Sequence, residues 1–200
     1  MTVRIRHNLF TAVLMTIATT VLLGLVYPLV VTGLAQAVFR DKANGQLIQR
    51  EGRTIGSAII GQGFAGPRYF HGRPSAAGSG YDATASGGTN LGPTNKKLID
   101  AVRAAVDAAR KDNPGGGDVP IDLVTTSASG FDPDISPDAA MFQVPRVAKA
   151  RGLDESAVRQ LVEGRIERRQ LGFLGEPRVN VLRLNLDLDD VSAHDSSAKR

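Results

Sequence analysis

Apolar residues follow two different patterns along this chain of 200 residues. From residue 8 to residue 39 they form a continuous run of 32 residues that contains no Asp, Glu, Lys or Arg. As a helix this run would be roughly 48 Å long, more than the roughly 30 Å of a bilayer's hydrocarbon core. Beyond it, apolar residues occur in short, periodic groups. The pattern predicts a transmembrane helix over residues 9–39, preceded by a short tail (1–8) and followed by a folded domain over residues 43–190.

A cleaved signal peptide is the alternative interpretation of the N-terminal run. Arg4 and Arg6 supply a charged start, and Ala35-Gln36-Ala37 has the pattern of a cleavage site. The uncharged run is much longer than the roughly 7–15 apolar residues of a signal peptide, so a retained anchor is favoured. The basic residues on either side leave its orientation open, because more of them follow the span than precede it. Those that follow are Arg40, Lys42, Arg50 and Arg53.

The periodic groups beyond the span predict a mixed α/β fold. Short strands are expected at four places, namely residues 46–48, 54–60, 123–126 and 179–186. Helices are expected from a cap at Thr94 to about Lys111, from a cap at Ser136, and over residues 153–169. Strands and helices alternate without a regular βαβ rhythm. We therefore expect an α/β mixed soluble domain anchored by one N-terminal transmembrane helix, with a disordered tail over residues 191–200.

Charge and composition exclude several classes of function. The net charge is +4, but residues 40–190 carry 20 Lys and Arg against 19 Asp and Glu, so the surplus lies at the two ends of the chain. A nucleic-acid-binding domain needs a concentrated basic face, which the domain lacks. The chain has no cysteine, which excludes disulfides, a thiolate zinc site and a cysteine nucleophile.

Residues capable of catalysis are few and scattered. The sequence has no phosphate-binding G-x-x-x-x-G-K-[ST] loop, and the three histidines lie far apart at His7, His71 and His194, without metal-ligand spacing. A serine hydrolase could be assembled from His71, Asp82 and one serine, but no G-x-S-x-G elbow supports it. The candidate serines are Ser75, Ser79, Ser86 and Ser127.

Four stretches stand out by composition, each with a structural and a functional interpretation. Residues 69–75 (YFHGRPS) form either a turn packed on the core or a contact surface for a partner. Residues 86–95 (SGGTNLGPTN) precede a helix, where backbone amides can bind an anion or simply make tight turns. In residues 127–137, Asp132 and Asp134 could bind a hard cation, although turn and cap roles are favoured. Residues 143–152 are a basic helical stretch, which is either a solvated helix face or, because it contains Pro145, a segment with a specific role.

In this order, after a single span, these stretches closely resemble the C subunit of the Kdp-type potassium-transporting P-type ATPase of bacteria. The resemblance extends over nearly all of residues 9–188. Phe131 stands where Leu is usual and Thr89 where Ser is usual. The matching segments are 56–64, 69–76, 86–95, 127–133, 135–137, 146–151 and 175–182.

The resemblance implies a non-catalytic subunit of a potassium-transporting membrane complex, with no tightly bound cofactor. Its implied partners are a channel-like potassium-binding subunit, a P-type ATPase catalytic subunit, a small single-span subunit and the lipid bilayer. The implied location is the bacterial cytoplasmic (inner) membrane, with the N-terminus in the cytoplasm and the domain outside, against the preference of the flanking charges. The candidate partner-contact residues are Tyr69, Phe70, Arg73, Asn90 and Arg146.

The family also suggests an alternative role, a catalytic chaperone that binds ATP and raises the nucleotide affinity of the ATPase subunit. Ser86, Gly87 and Gly88 resemble part of the Ser-Gly-Gly-Gln signature of ABC transporters, and Gln143 is a further candidate nucleotide-binding residue. Thr89 stands where that signature has Gln. A domain outside the cytoplasm would also meet no ATP, so we favour the assembly role.

Overall fold

The computed structural model describes residues 2–198, and the side chains of residues 4–192. The backbone divides into two compact units, of which the first ends at Leu47 and the second begins at Ile48.

The first unit is a long apolar helix followed by one short turn of helix. Its parts are helix α1 (Thr2–Thr19), a π-helical segment (Thr20–Val26), α2 (Tyr27–Val38) and α3 (Arg40–Ala43). The stretch from Arg4 to Val38 is long and apolar enough to cross a membrane, with a mean hydropathy of 2.3. Pro28 stands just after the π-helical segment, near the start of α2. Wider turns of this kind accommodate a residue that lacks a backbone N–H. The predicted transmembrane helix is therefore present as one apolar helix.

The second unit contains two small sheets. Strands β1 (Leu47–Arg50) and β2 (Arg53–Ser57) form the first. The second has the order β3-β5-β4, from β3 (Asp134–Ile135), β4 (Ile166–Glu167) and β5 (Arg178–Asn180). Both of its pairings are antiparallel, and Val179 in the central strand lies opposite Ile135 on one side and Ile166 on the other.

The helices of this unit are α4 (Lys96–Asp112), α5 (Pro137–Arg151), α6 (Glu155–Gly164) and α7 (Val181–Ala198). The last three form the core together with the second sheet, whereas none of the residues of α4, which is described in full, is buried. Ser136 caps α5 by accepting a hydrogen bond from the Ala139 N–H at 3.1 Å, and the left-handed Gly152 ends it. The core lies among α5, α6, α7 and β5, and its largest fully buried apolar side chains are Phe70, Val144, Val147, Val158, Val162, Val179, Leu184 and Leu188.

The predicted strand over residues 179–186 is wrong beyond Asn180, because α7 begins at Val181. The Asn180 side chain accepts a hydrogen bond from the Arg183 N–H at 3.1 Å, as a helix cap does. The alternating Val and Leu residues also satisfy helical spacing, since Val181, Leu184 and Leu188 all face the core. The cap and the packing therefore favour a helix over a strand from Val181 onward. The same helix continues to Ala198, through most of the tail that was expected to be disordered; residues 199–200 lie outside the described residues.

The other predicted elements are present with shifted bounds, except for one. The predicted strand over 123–126 is wrong: a 3-10 turn occupies Ile121–Leu123, and the Thr125 hydroxyl donates back to the Ile121 carbonyl. The helix expected over 153–169 ends at Gly164, and Ile166 belongs to β4 instead. Asn95, not Thr94, caps α4 by accepting from the Lys97 N–H at 2.9 Å.

Candidate functional site

The segment from residue 58 to residue 95, which we call the irregular segment, contains neither helix nor strand. It is nevertheless ordered, because Phe70 and Ala77 within it are completely buried. A loop of this length without regular structure must satisfy its backbone polar groups in some other way. In this chain, buried polar side chains from two core helices do so.

Two buried amide side chains hold the backbone at Phe70 and His71. Asn185 of α7 accepts from the Phe70 N–H and donates to the Phe70 carbonyl, both at 2.9 Å. Gln143 of α5 accepts from the His71 N–H at 2.8 Å and donates to the His71 carbonyl at 3.1 Å. Each amide thus pairs with one residue of the segment as a neighbouring β-strand would. Gln143 and Asn185 are each only 1% exposed, so no water competes for these bonds.

Arg146 of α5 completes this anchor from one turn further along the helix. Its guanidinium donates to the backbone carbonyls of Pro67 at 2.8 Å and Tyr69 at 3.0 Å, and to the side-chain oxygens of Asn113 at 2.8 Å and Gln143 at 2.7 Å. Arg146 is 9% exposed, and burial lowers the pKa of its guanidinium, with a nearby Asp112 acting in the opposite direction. These four acceptors are neutral oxygens. Arg146 therefore serves as a structural cross-link between α5 and the irregular segment.

His71 lies beside this anchor in a half-buried position. Its Nε2 is 2.8 Å from the Gly66 carbonyl, a geometry in which the ring donates a hydrogen bond. Burial lowers the pKa of His71; the Gly66 hydrogen bond opposes this shift and the charge of Arg146 adds to it. The neutral ring is thus the form that the fold favours.

Tyr69 and Arg73 lie on either side of the anchored residues Phe70 and His71, and both are partly exposed. The Tyr69 ring lies against the guanidinium of Arg151, 4.9 Å from the ring centre, and Arg151 itself pairs with Asp189 at 2.8 Å. Arg73 pairs with Asp132 at 3.0 Å. Tyr69 and Arg73 stay half-buried, so each keeps surface that a partner could contact.

The candidate partner-contact residues divide into exposed and buried groups. Asn90 is exposed, in a left-handed backbone conformation with a φ of 53°. Phe70 is fully buried and Arg146 nearly so. The side chains of Phe70 and Arg146 thus act inside the domain, where they hold the surface in place. Contact of Tyr69, Arg73 and Asn90 with a partner stays a prediction.

The Ser-Gly-Gly stretch packs against the loop that precedes β3. The Ser86 hydroxyl and the Gly87 N–H both donate to the Ser129 carbonyl at 3.0 Å. Gly130 opposite them has a φ of +75°, and a Cβ there would lie 2.6 Å from that of Ala77. Only glycine fits this crossing of two loops.

The candidate nucleotide-binding residues do not share a cleft. Gln143 lines a cleft of about 310 Å³ between α4 and the irregular segment, and Ser86, Gly87 and Gly88 are not among its lining residues. The amide of Gln143 already makes four hydrogen bonds, two as donor and two as acceptor, which is its full capacity. Nucleotide binding by these residues stays a prediction, and the hydrogen bonds of Gln143 and Gly87 do not favour it.

The candidate hydrolase residues each bind other partners. His71 Nε2 faces the Gly66 carbonyl, the Ser75 hydroxyl donates to the Gly130 carbonyl at 2.7 Å, and the Asp82 carboxylate accepts from Thr84. A triad requires the serine, histidine and acid to hydrogen-bond one another. These bonds are absent between His71, Ser75 and Asp82, all of which the structure describes.

A large acidic cleft was not expected from the sequence. It has a volume of about 1110 Å³, and its carboxylates include Asp118, Asp122 and Asp138, together with Asp132 and Asp134, for which turn and cap roles were favoured over cation binding. Those two already have protein partners: Asp132 pairs with Arg73, and Asp134 with Asn180 and Arg178. Burial raises the pKa of Asp134. Because these residues come from separate loops and helices, no local motif could reveal the cleft.

The loop between β4 and β5 presents a second unexpected feature, an apolar tip. Leu171, Phe173 and Leu174 are 82%, 69% and 47% exposed, and Leu171 has a φ of 53°. Exposed apolar clusters on a folded domain are typical of contact surfaces. The alternation of apolar residues and glycines over 170–175 was the available signal in the sequence.

Comparison with known proteins gives the family. Residues 9–190 match the model of the family described as KdpC: K+-transporting ATPase, c chain. A relative from Koribacter versatilis is 64% identical over 184 residues, 92% of this chain and 95% of its own length. Relatives from Acidobacterium capsulatum and Rhodopseudomonas palustris are 57% and 55% identical, covering 92% and 89% of this chain and 99% and 95% of theirs. All three are named potassium-transporting ATPase KdpC subunit.

These matches agree with the resemblance seen in the sequence, and they cover the apolar helix as well as the folded domain. The chain therefore belongs to the KdpC family, the c chains of K+-transporting ATPases, and is a membrane-associated subunit of such a complex other than its catalytic subunit.

Proposed function

We propose that this chain is an accessory subunit that assembles and stabilises the channel-like and ATP-hydrolysing subunits of a K+-uptake complex. The observation that carries the proposal is the irregular segment, which is held rigid by Gln143, Arg146 and Asn185. Rigid surfaces lose little conformational entropy when they bind a partner. Irregular segments fixed on a scaffold of helices and strands are also where proteins commonly place their binding residues.

The exposed part of the irregular segment supplies the first contact surface. Tyr69, Arg73 and Asn90 combine an aromatic ring, a guanidinium and an amide, a mixture that suits a protein interface. The apolar tip (Leu171, Phe173 and Leu174) supplies a second surface. We propose that both contact the other large subunits, and that a small single-span subunit completes the complex.

The domain is proposed to lie outside the cytoplasmic membrane, with the N-terminus inside. This placement follows the resemblance to the Kdp family and not the flanking charges. A Ser79→Cys variant tests it, since Ser79 is exposed and the chain has no other cysteine. A membrane-impermeant thiol reagent should label Ser79→Cys in intact cells and His7→Cys only after the cells are opened. The reverse labelling would place the domain in the cytoplasm.

Co-purification tests the assembly role. Without this chain, K+-stimulated ATP hydrolysis by the complex should be lost, and the other subunits should no longer co-purify. The double variant Tyr69→Ala with Asn90→Gly should weaken co-purification while the domain remains folded, because glycine accepts the left-handed conformation at residue 90. Lys97→Ala, an exposed change on α4, is the matched control.

Two outcomes would contradict the proposed assembly role. A complex that assembles and hydrolyses ATP normally without this chain would contradict an assembly role. Hydrolysis of a substrate by the purified chain, abolished by His71→Ala, would show an enzyme instead.

A further inference from the structure

Two consecutive isoleucines project from the turn after β2. Ile59 is 50% exposed and Ile60 is 45% exposed. The turn is closed by Ser57, whose hydroxyl accepts from the Ile59 N–H at 3.3 Å and whose carbonyl accepts from the Ile60 N–H at 3.4 Å. Two large aliphatic side chains side by side at the surface of a folded domain leave considerable apolar area in water.

Buried anchors on both sides fix this turn. On one side, the buried Asn180 side chain donates to the Ala58 carbonyl at 2.9 Å. On the other, the Gly61 N–H donates to the Phe131 carbonyl at 2.8 Å, and a Cβ at Gly61 would lie 2.4 Å from the Asp132 carbonyl oxygen. The isoleucines are therefore held outward by the fold, and cannot turn inward by a small movement of the loop.

The bilayer is within reach of this turn because the linker is short. Only the eight residues 39–46 separate α2 from β1, which pairs with β2. Even fully extended, eight residues span at most about 28 Å. A tether of this length keeps the membrane surface at a high effective concentration around β1 and β2.

The charges near the linker also suit a lipid surface. Residues 40–53 contain four basic and two acidic residues. Among the described residues, Arg53 of β2 is exposed and pairs with no carboxylate. Basic residues next to apolar ones are typical of surfaces that bind the headgroups of anionic lipids.

We propose that the Ile59–Ile60 turn rests in the bilayer surface, with both isoleucines among the headgroups and Arg53 near anionic lipid phosphates. The domain would then have a second, non-covalent attachment to the membrane besides its helix. The proposal holds for either side of the membrane, so it does not depend on the topology proposed above.

Site-specific fluorescence tests this in the full chain, whose lack of cysteine makes labelling clean. Ile60→Cys and Leu171→Cys would carry an environment-sensitive dye, with the chain reconstituted in vesicles of phosphatidylglycerol and phosphatidylcholine. Leu171 is the matched control, an apolar residue 82% exposed in the apolar tip. A nitroxide lipid quenches a dye only within a short distance. We expect about twofold quenching at residue 60, since interfacial side chains lie roughly 5–10 Å into the headgroup boundary. Little quenching is expected at residue 171.

A charge variant and the other subunits complete the test. Arg53→Glu should reduce quenching at residue 60, and vesicles of phosphatidylcholine alone should do the same. Equal, weak quenching at both positions would overturn the proposal, and so would equal, strong quenching. The proposal would also be overturned if the dye at residue 60 left water only after the channel-like and ATPase subunits were added. A protein, and not the bilayer, would then cover the Ile59–Ile60 turn.

Discussion

The irregular segment and helix α4 are adjacent in the chain, yet they are held in opposite ways. The irregular segment has no regular structure but contains fully buried residues and is hydrogen-bonded by Gln143, Arg146 and Asn185. Helix α4 is a regular α-helix of 17 residues, but none of its residues, all of which the structure describes, is fully buried. Its C-terminal end is tied to the core through Asn113, which accepts from Arg146.

The comparison shows that regular structure and firm attachment are separate properties. A helix satisfies its own backbone groups and can lie on a surface with little burial. An irregular segment must find partners for its backbone elsewhere, and buried polar side chains that provide them lock its shape. In this domain, we expect the segment without secondary structure to be the more stable of the two.

Removal of Arg146 should have the largest effect. Arg146→Ala removes the donor to the carbonyls of Pro67 and Tyr69 and to the Asn113 side-chain oxygen, while the Gln143 oxygen keeps the His71 N–H as its second donor. We expect the free energy of unfolding to fall by about 3–5 kcal/mol, because each buried acceptor left without a donor costs roughly 1–3 kcal/mol. A urea titration of the full chain in detergent micelles, followed by circular dichroism, measures this change.

Two further variants sharpen the interpretation of Arg146. Arg146→Lys keeps the charge but loses the planar fork of donors, so it should be intermediate. Arg103→Ala, an exposed change on α4, should alter stability by less than about 0.5 kcal/mol. If Arg146→Ala were as mild as Arg103→Ala, the irregular segment would not depend on this anchor.

Asn185 should have the second-largest effect. Asn185→Leu leaves the N–H and carbonyl of Phe70 unpaired in a buried place, which should cost about 2–3 kcal/mol of unfolding free energy. Asn185→Asp keeps the shape and the acceptor but loses the donor. Its stability should therefore improve on acidification, when the protonated acid can donate to the Phe70 carbonyl. A Leu variant as stable as the natural chain would show that the Phe70 backbone finds other partners.

Apolar residues of α4 should matter less than those of the core helix α5. Val102 in α4 is half-buried, whereas Val147 in α5 is fully buried. Val102→Ser should cost less than about 1 kcal/mol, and Val147→Ser about 3 kcal/mol or more. Hydrogen exchange should likewise be faster for amides of α4 than for those of Phe70 and His71. Comparable costs for the two serine variants would place α4 in the core and remove the contrast.

The pH dependence due to His71 should be the smallest effect. Because burial lowers the pKa of His71 in the folded chain, its contribution to stability is fully present above the unfolded value of 6.5. It is lost as the pH falls through 6.5 toward the lower folded value, because the unfolded state then binds more protons. His71→Gln should remove this part of the pH dependence.

The His71 effect is best measured as a difference. Asp134 has a raised pKa and contributes to the pH dependence with the opposite sign. Its contribution cancels when the natural chain and His71→Gln are compared at each pH between 7 and 5. Identical curves for the two proteins would mean that His71 titrates alike in the folded and unfolded states.

Elements with local signals were predictable, and elements without them were not. Ser136 and Pro137 marked the start of α5, because a cap and a first-turn proline act within a few residues. The stretch from Val179 to Leu186 fits both strand and helix spacing, and the Asn180 cap and packing against α6 and β5 determine that it is a helix beyond Asn180. Gln143 was considered for nucleotide binding, because nothing nearby in the sequence shows that its partner is His71, 72 residues away.

The sequence by itself determined the membrane helix, the mixed α/β character and the family, because uninterrupted apolar length, local caps and long ordered motifs are properties of neighbouring residues. Only the tertiary structure decided which motif residues are exposed. Phe70 and Tyr69 are adjacent in the chain, yet one is in the core and the other reaches the surface beside Arg151. That choice depends on hydrogen bonds from Asn185 and Arg146, residues that folding alone brings to this place.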